Sequence, residues 1–166
     1  MKFSPKIIIM SAFLIFAAFA FFRVDFLQLK VLGINETYDI KDICKNSDFE
    51  YDGEKLVSTG FSKFTRIIGY IAAAVTVLCV IEALTEADDT KAGATVFYAA
   101  CSQGIAYLLL IINAYKLKGD CKDAIEKLGG GIASELIKCN VLLAPHCILA
   151  GVLIIAVLTK KNVNRT

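Results

Sequence analysis

The chain has 166 residues, a formal net charge of +2 and 57% hydrophobic residues, with a mean hydropathy of +0.62. The near-neutral charge, and the absence of a basic stripe interleaved with aromatic residues, argue against a nucleic-acid partner. Long uncharged apolar runs argue against an ordinary soluble domain, in which about half of the residues are apolar. No polar segment is long enough to form a second core, so we predict a single membrane domain.

Four apolar runs predict four helices that span the membrane, because each approaches the roughly 20 residues needed to cross about 30 Å of hydrocarbon. The predicted fold class is an all-α membrane protein, a four-transmembrane-helix bundle with a structured extracellular first loop. In chain order we predict spanning helices at about 7–29, 62–84, 92–115 and 136–159, outer loops at 30–61 and 116–135, an inner turn at 85–91 and a cytoplasmic tail at 160–166.

The first apolar run also fits a cleaved secretory signal peptide. Basic residues precede it, and Ala18-Phe19-Ala20 offers the small-x-small pattern of a cleavage site. The run continues past Arg23 and Asp25 into further apolar residues, which favours a retained helix. The remaining topology is the same under both interpretations.

The first outer loop is polar and carries a glycosylation sequon at Asn35-Glu36-Thr37. Its acidic residues concentrate between positions 48 and 54. A calcium site needs several oxygen ligands, but EF-hand spacing is absent, so a solvated acidic face is the preferred interpretation.

Basic residues at both ends of the chain, together with the sequon, predict cytoplasmic N- and C-termini and an outer position for both loops. Cys44 and Cys121 then fall in the outer loops, and Cys139 lies near the outer end of the fourth helix. Disulfides persist on that side of a membrane. A Cys44–Cys121 bridge is preferred because it would join the two loops. Cys121–Cys139 is the alternative, and the connectivity stays open.

Polar residues inside the predicted helices are the candidates for chemistry: Glu82, Gln103, Asn113 and His146. Gln103 and Asn113 suit hydrogen bonds between helices. Glu82 can reach the headgroups, and His146 suits a neutral ring bonded near the carbonyl that Pro145 frees. The sequence contains no Cys-x-x-Cys, catalytic dyad, phosphate loop or zinc spacing. We therefore predict no enzymatic activity, no cofactor and no metal.

The order of segments is similar to that of MARVEL- and claudin-type tetraspans, although the claudin loop signature of a tryptophan with paired cysteines is absent. Leu32-Gly33-Ile34, Thr37-Tyr38 and the segment from Glu54 to Gly60 resemble the arthropod Snakeskin family of smooth septate junction proteins. The resemblance covers the first loop and the start of the second helix. It implies a non-enzymatic scaffold in the lateral plasma membrane of a barrier epithelium.

The expected function is therefore an integral membrane scaffold or adhesion protein of cell junctions. Its expected partners are the lipid bilayer and other membrane proteins in cis or in trans, with a second copy of itself among them. The alternative is an accessory subunit of a membrane complex or a small transporter, which the polar residues within the helices would serve.

Overall fold

The computed structural model describes residues 5–45, 49–51 and 54–163. The elements are α1 (Pro5–Arg23), β1 (Leu27–Val31), β2 (Ile34–Tyr38), α2 (Ile40–Lys45), β3 (Phe49–Tyr51), β4 (Glu54–Val57), α3 (Gly60–Thr85), α4 (Asp89–Leu136), β5 (Ile137–Val141) and α5 (Ala144–Val163). The chain is mostly helical, as predicted. It also forms short strands that the all-α prediction did not include.

Three helical segments are long and apolar enough to cross a membrane: Pro5–Arg23, Gly60–Thr85 and Asp89–Lys127. Large apolar side chains on them remain exposed, for example Ile9 at 67% and Leu78 at 68%. Such surfaces are unfavourable in water and favourable in lipid, so these helices associate with a membrane. The fourth predicted span corresponds to α5, whose apolar stretch within the described side chains is the shorter segment Ala144–Leu153.

Helix α4 is central to the bundle, because it packs against α1, α3 and α5. Small residues at the contacts allow close approach, as is usual between membrane helices. Gly69 of α3 lies directly against the ring of Phe21 of α1, and a Cβ atom at this position would overlap that ring. Helix α3 ends at Thr85 and α4 begins at Asp89, so the connection between them is shorter than the turn predicted at 85–91.

The first predicted span was placed wrongly at its C-terminal end, and the fourth at its N-terminal end. Helix α1 stops at Arg23 rather than near residue 29, and α5 begins at Ala144 rather than near residue 136. The residues in between form β1 and β5, each of which alternates apolar and polar side chains with the period of a half-buried strand.

The predicted outer loop at 116–135 is also wrong as a loop, because α4 continues through it as far as Leu136. Ion pairs between residues four apart support this helical continuation, with Lys116 Nζ 2.6 Å from Asp120 Oδ2 and Lys122 Nζ 3.7 Å from Glu126 Oε1. The glycine triplet at 129–131 lies within this helix, although glycine disfavours a helix interior.

The chain folds back between the C-terminal part of α4 and β5. The thiols of Cys121 on α4 and Cys139 on β5 are hydrogen-bond neighbours. A straight helix from Cys121 to Leu136 would extend about 22 Å, and the strand can return at most about 10 Å before Cys139. The helix must therefore turn back, and the glycine triplet is the natural place for the bend, since glycine weakens helical rigidity.

Two antiparallel sheets lie at the same end of the bundle as these elements. The larger has the order β2-β1-β5, with Leu29 opposite both Glu36 and Cys139. The smaller pairs β3 with β4. The larger sheet therefore connects two distant parts of the chain, because β1 and β2 follow α1 whereas β5 lies between α4 and α5. The acidic cluster predicted at 48–54 lies partly outside the described residues.

Candidate functional site

The three-stranded sheet has one face towards the helices and one face away from them. Strand β5 alternates between half-buried and exposed positions, and Leu27, Cys139 and Val141 pack on or within the hydrophobic core. Successive side chains of a strand point to opposite faces. Lys30, Asn35 and Lys138 therefore occupy the other face, and all three are exposed. We call this outward surface the sheet face.

The hairpin between β1 and β2 turns at Leu32-Gly33, where both residues have positive φ, 49° and 89°. Such a two-residue turn suits asparagine followed by glycine, whereas leucine rarely adopts a left-handed backbone. Leu32 is nonetheless 71% exposed, and its neighbours Ile34 and Leu136 are 67% and 48% exposed. The structure thus presents an apolar tip that is both strained and unburied, and we call these three residues the apolar tip.

Two lysines adjoin the apolar tip. Lys30 and Lys138 are direct partners across the β1–β5 ladder, and within the described residues neither forms an ion pair. Like charges directly opposite one another destabilise a sheet. A shallow depression beside them is lined by Lys30, Leu32, Gly33, Leu136 and Lys138. The sheet face therefore combines uncompensated positive charge with exposed aliphatic side chains.

Hydrogen bonds brace the opposite end of the hairpin, next to the bundle. Thr37 Oγ1, within the predicted sequon, donates to Asp25 Oδ2 at 2.6 Å. The Tyr38 hydroxyl donates to a carboxylate oxygen of Glu36. This bond, with some desolvation, raises the pKa of Tyr38 to about 12. Asn35 itself is exposed on the sheet-edge strand β2, so its side chain is accessible for a glycan.

Inside the bundle, α4 contacts other helices through buried polar side chains. Gln103 Nε2 donates to Thr76 Oγ1 of α3 at 2.9 Å. Tyr107 Oη donates to the carbonyl oxygen of Ala17 of α1 at 2.7 Å. Asn113 Oδ1 accepts a bond from Ser62 Oγ of α3 at 3.1 Å. These bonds fix α1 and α3 against α4 at three depths, and we call this set the α4 polar contacts.

His146 lies beside the α4 polar contacts, next to Tyr107. Its ring is fully buried, 5.9 Å from the ring of Tyr107, and within the described part of the chain neither ring nitrogen has a hydrogen-bond partner at standard geometry. The backbone of Val24 and Asp25 is the polar group beside it.

The explanation predicted for His146 through Pro145 is wrong. Pro145 stands in the first turn of α5, which begins at Ala144, and a proline there frees no helical carbonyl. Asn113 is also incompletely paired, because its Nδ2 lacks a partner among the described atoms. The sequence analysis placed Asn113 and His146 inside helices. It did not identify Ser62, Thr76 and Tyr107, which form the other hydrogen bonds of this polar core.

The remaining predicted residues, Glu82 and the cysteines, lie outside this polar core. Glu82 is exposed near the C-terminal end of α3, where its carbonyl oxygen accepts the hydrogen bond from Glu86 N that caps the helix. All six cysteines are free thiols. Cys44 contacts Arg66 of α3, and burial raises the pKa of the Cys44 thiol. Cys121 contacts Cys139 instead, so the preferred Cys44–Cys121 pairing is not the one that the structure brings together.

The described residues contain no group of three or more histidine, cysteine or acidic side chains that could hold a metal ion. The chemistry available is therefore hydrogen bonding within the bundle, and charge and apolar contact on the sheet face. Comparisons with protein-family models, with curated proteins and with solved structures find no match for the chain.

Proposed function

We propose that this protein is a non-enzymatic four-pass scaffold of cell junctions in the plasma membrane, resembling septate junction proteins, which recognises partners through the sheet face and the apolar tip. The observation that carries the proposal is the exposed, strained Leu32 beside Lys30 and Lys138, neither of which forms an ion pair with a described residue. Backbone strain that the fold maintains without burying the side chain is typical of a recognition surface. Exposed aliphatic residues next to charge favour a protein partner.

The proposed topology has both termini in the cytoplasm, α5 as the fourth span and the sheets outside. Three features support it. The ends of the chain are basic, Asn35 of the sequon is exposed, and β5 returns the chain to the base of the sheet, where α5 begins. Digestion of the cell-derived protein with a glycosidase tests it, with Asn35→Gln as the control. A mobility shift that the variant lacks is expected, and an unglycosylated wild-type chain at the cell surface would count against this orientation.

The α4 polar contacts suit a scaffold, because paired buried groups hold helices in one arrangement. Membrane hydrogen bonds of this kind average about 0.6 kcal/mol each, so three of them supply roughly 2 kcal/mol of positional preference. A rigid bundle would present the sheet in a fixed orientation to partners in the same or the opposite membrane.

The test of junction function is the distribution of a tagged copy in cultured epithelial cells. The wild-type protein is expected to concentrate at cell contacts, and replacing both Lys30 and Lys138 with glutamine is expected to weaken this. Replacing the exposed Lys45 of α2, which forms an ion pair with Asp42, serves as the charge control. A wild-type protein spread uniformly over the surface would end the junction proposal.

A second candidate function, a small transporter or accessory subunit, is favoured by one observation. Both ring nitrogens of His146 and Nδ2 of Asn113 are buried without a hydrogen-bond partner among the described atoms, and polar groups within membrane helices often mark solute or proton paths. Replacing His146 with leucine should then abolish transport by proteoliposomes, whereas the Gly104→Ala variant should not. Unchanged solute or proton flux in the His146 variant would exclude this candidate.

A further inference from the structure

We infer that Cys121 and Cys139 form a disulfide that clamps the bent outer part of α4 to the sheet in the mature protein. The inference rests on the proposed function in one respect, the outer location of the sheet. Nothing in it requires a junction partner. It replaces the Cys44–Cys121 pairing that the sequence favoured.

The strand register brings the two thiols together. Cys139 is paired across the ladder with Leu29, on the face of β5 that packs towards the helices. Cys121 lies on α4, partly buried against the same hydrophobic core. Their thiols are hydrogen-bond neighbours. Within the described residues, Cys44 instead has Arg66 as its contact, and Cys79, Cys101 and Cys147 lie in the spanning helices.

The contact requires α4 to depart from a straight helix between Cys121 and Leu136, because a straight helix would separate the two cysteines. This part of α4 contains the glycine triplet at 129–131, and glycine has little intrinsic preference for one backbone geometry. A covalent bond between Cys121 and Cys139 closes the bent segment into a loop and removes the open conformations of that segment from the unfolded ensemble. The disulfide would therefore fix β5, and with it the position of the sheet face.

Oxidation needs an electron acceptor, which we assign to a disulfide of the secretory compartment, either glutathione disulfide or an oxidised protein dithiol. Cys139 attacks first, because the hydrogen bond from the Cys121 thiol and the nearby Lys118 lower the pKa of Cys139. Its thiolate breaks the acceptor disulfide and forms a mixed disulfide, releasing one thiol. Cys121 then loses its proton and displaces the second thiol. Two protons and two electrons leave the protein, and one Sγ–Sγ bond forms.

Peptide mapping of the wild-type protein from secretory membranes tests the inference, with free thiols alkylated at lysis. A linked pair of peptides holding Cys121 and Cys139 is expected without reductant, while Cys44 carries the alkyl group. Reduction, or the Cys121→Ser variant, should lower the melting temperature in detergent by about 5–10 °C. The Cys44→Ser variant is the matched control, and both the link and the melting temperature should remain.

Alkylation of both Cys121 and Cys139, or a link that joins either of them to Cys44, would overturn the inference. An unchanged melting temperature on reduction would overturn the clamp. The glycan at Asn35 separates the two failures. Free thiols in a glycosylated chain count against the disulfide alone, whereas free thiols in an unglycosylated chain also count against the proposed topology. A linked chain that does not concentrate at cell contacts leaves the disulfide intact and defeats the junction proposal.

Discussion

Replacing Leu32 with asparagine should stabilise the fold and at the same time weaken partner recognition. The left-handed backbone at Leu32, with φ of 49°, costs a leucine about 1–2 kcal/mol. Asparagine tolerates this region far better, and Asn-Gly is the preferred pair for such a turn. Because Leu32 is 71% exposed, the substitution removes less than a third of the roughly 1.5–3 kcal/mol that full burial supplies, under about 1 kcal/mol.

The net expected gain is about 0.5–1 kcal/mol, which should raise the melting temperature of a chain of this length by about 1–4 °C. Thermal unfolding in detergent measures the stability, and enrichment of a tagged copy at cell contacts measures recognition. Enrichment should fall, because the substitution removes the most exposed apolar side chain of the tip.

Ile34→Asn is the matched control for this experiment. Ile34 is 67% exposed in β2 and has no positive φ, so asparagine there relieves no strain and is poorly suited to a strand. It should lower the melting temperature slightly and also reduce enrichment. If enrichment follows stability in the two variants instead of apolarity, or if Leu32→Asn is destabilising, the reasoning about the tip is refuted.

Three further variants test the packing and the electrostatics of the fold. Gly69→Ala should lower stability by about 1–3 kcal/mol, because the added Cβ would overlap the ring of Phe21. Gly104→Ala, which has open space around the added Cβ, should raise stability by up to about 1 kcal/mol. Equal melting temperatures for the two variants would contradict the close contact between α1 and α3. Tyr107→Phe should cost about 0.5–1.5 kcal/mol in thermal unfolding by deleting one α4 polar contact, and a neutral result would mean that the hydroxyl is not bonded. Glu36→Gln should bring the pKa of Tyr38 back from about 12 towards 10.0. The raised pKa contributes stability that is fully present below pH about 10 and is lost as the pH rises towards 12, so the wild-type chain should lose stability over that interval and the variant should not. Alkaline unfolding and tyrosinate absorbance measure this, and identical titrations of the two proteins would contradict the hydrogen bond.

The sequence predicted the apolar helices well, because length and hydropathy depend on local composition alone. It missed β1 and β5 for a physical reason. Both strands directly adjoin apolar helices, so the hydrophobic runs appeared continuous across the change in structure. The signal was nevertheless present, because Leu27, Leu29 and Val31 alternate with polar residues. This period of two is typical of a strand, whereas the apolar positions of a helix recur every three or four residues.

The continuation of α4 was not predictable from residue type, because glycine and charge both suggested a loop. Tertiary contacts favour the helix here, since Ala124 and Ile125 are buried and α4 packs on β1 and β5. The cysteine pairing depends on the same contacts. Cys121 and Cys139 come together only once the helix bends and the strand register is fixed, neither of which is visible in cysteine spacing.

The α4 polar contacts bear on the choice between a static scaffold and a transporter. Gln103 and Tyr107 each donate a hydrogen bond to a neighbouring helix, whereas Asn113, His146 and Ser11 have buried polar atoms without a partner in the described part of the chain. In the half of the bundle away from the sheet, Val80 and Ala83 are buried, but so is Ser11, whose Oγ has no hydrogen-bond partner among the described atoms. Buried polar atoms without partners therefore occur in both halves of the bundle, and such atoms within membrane helices often mark solute or proton paths. The flux measurement on the His146 variant decides between the scaffold and the transporter.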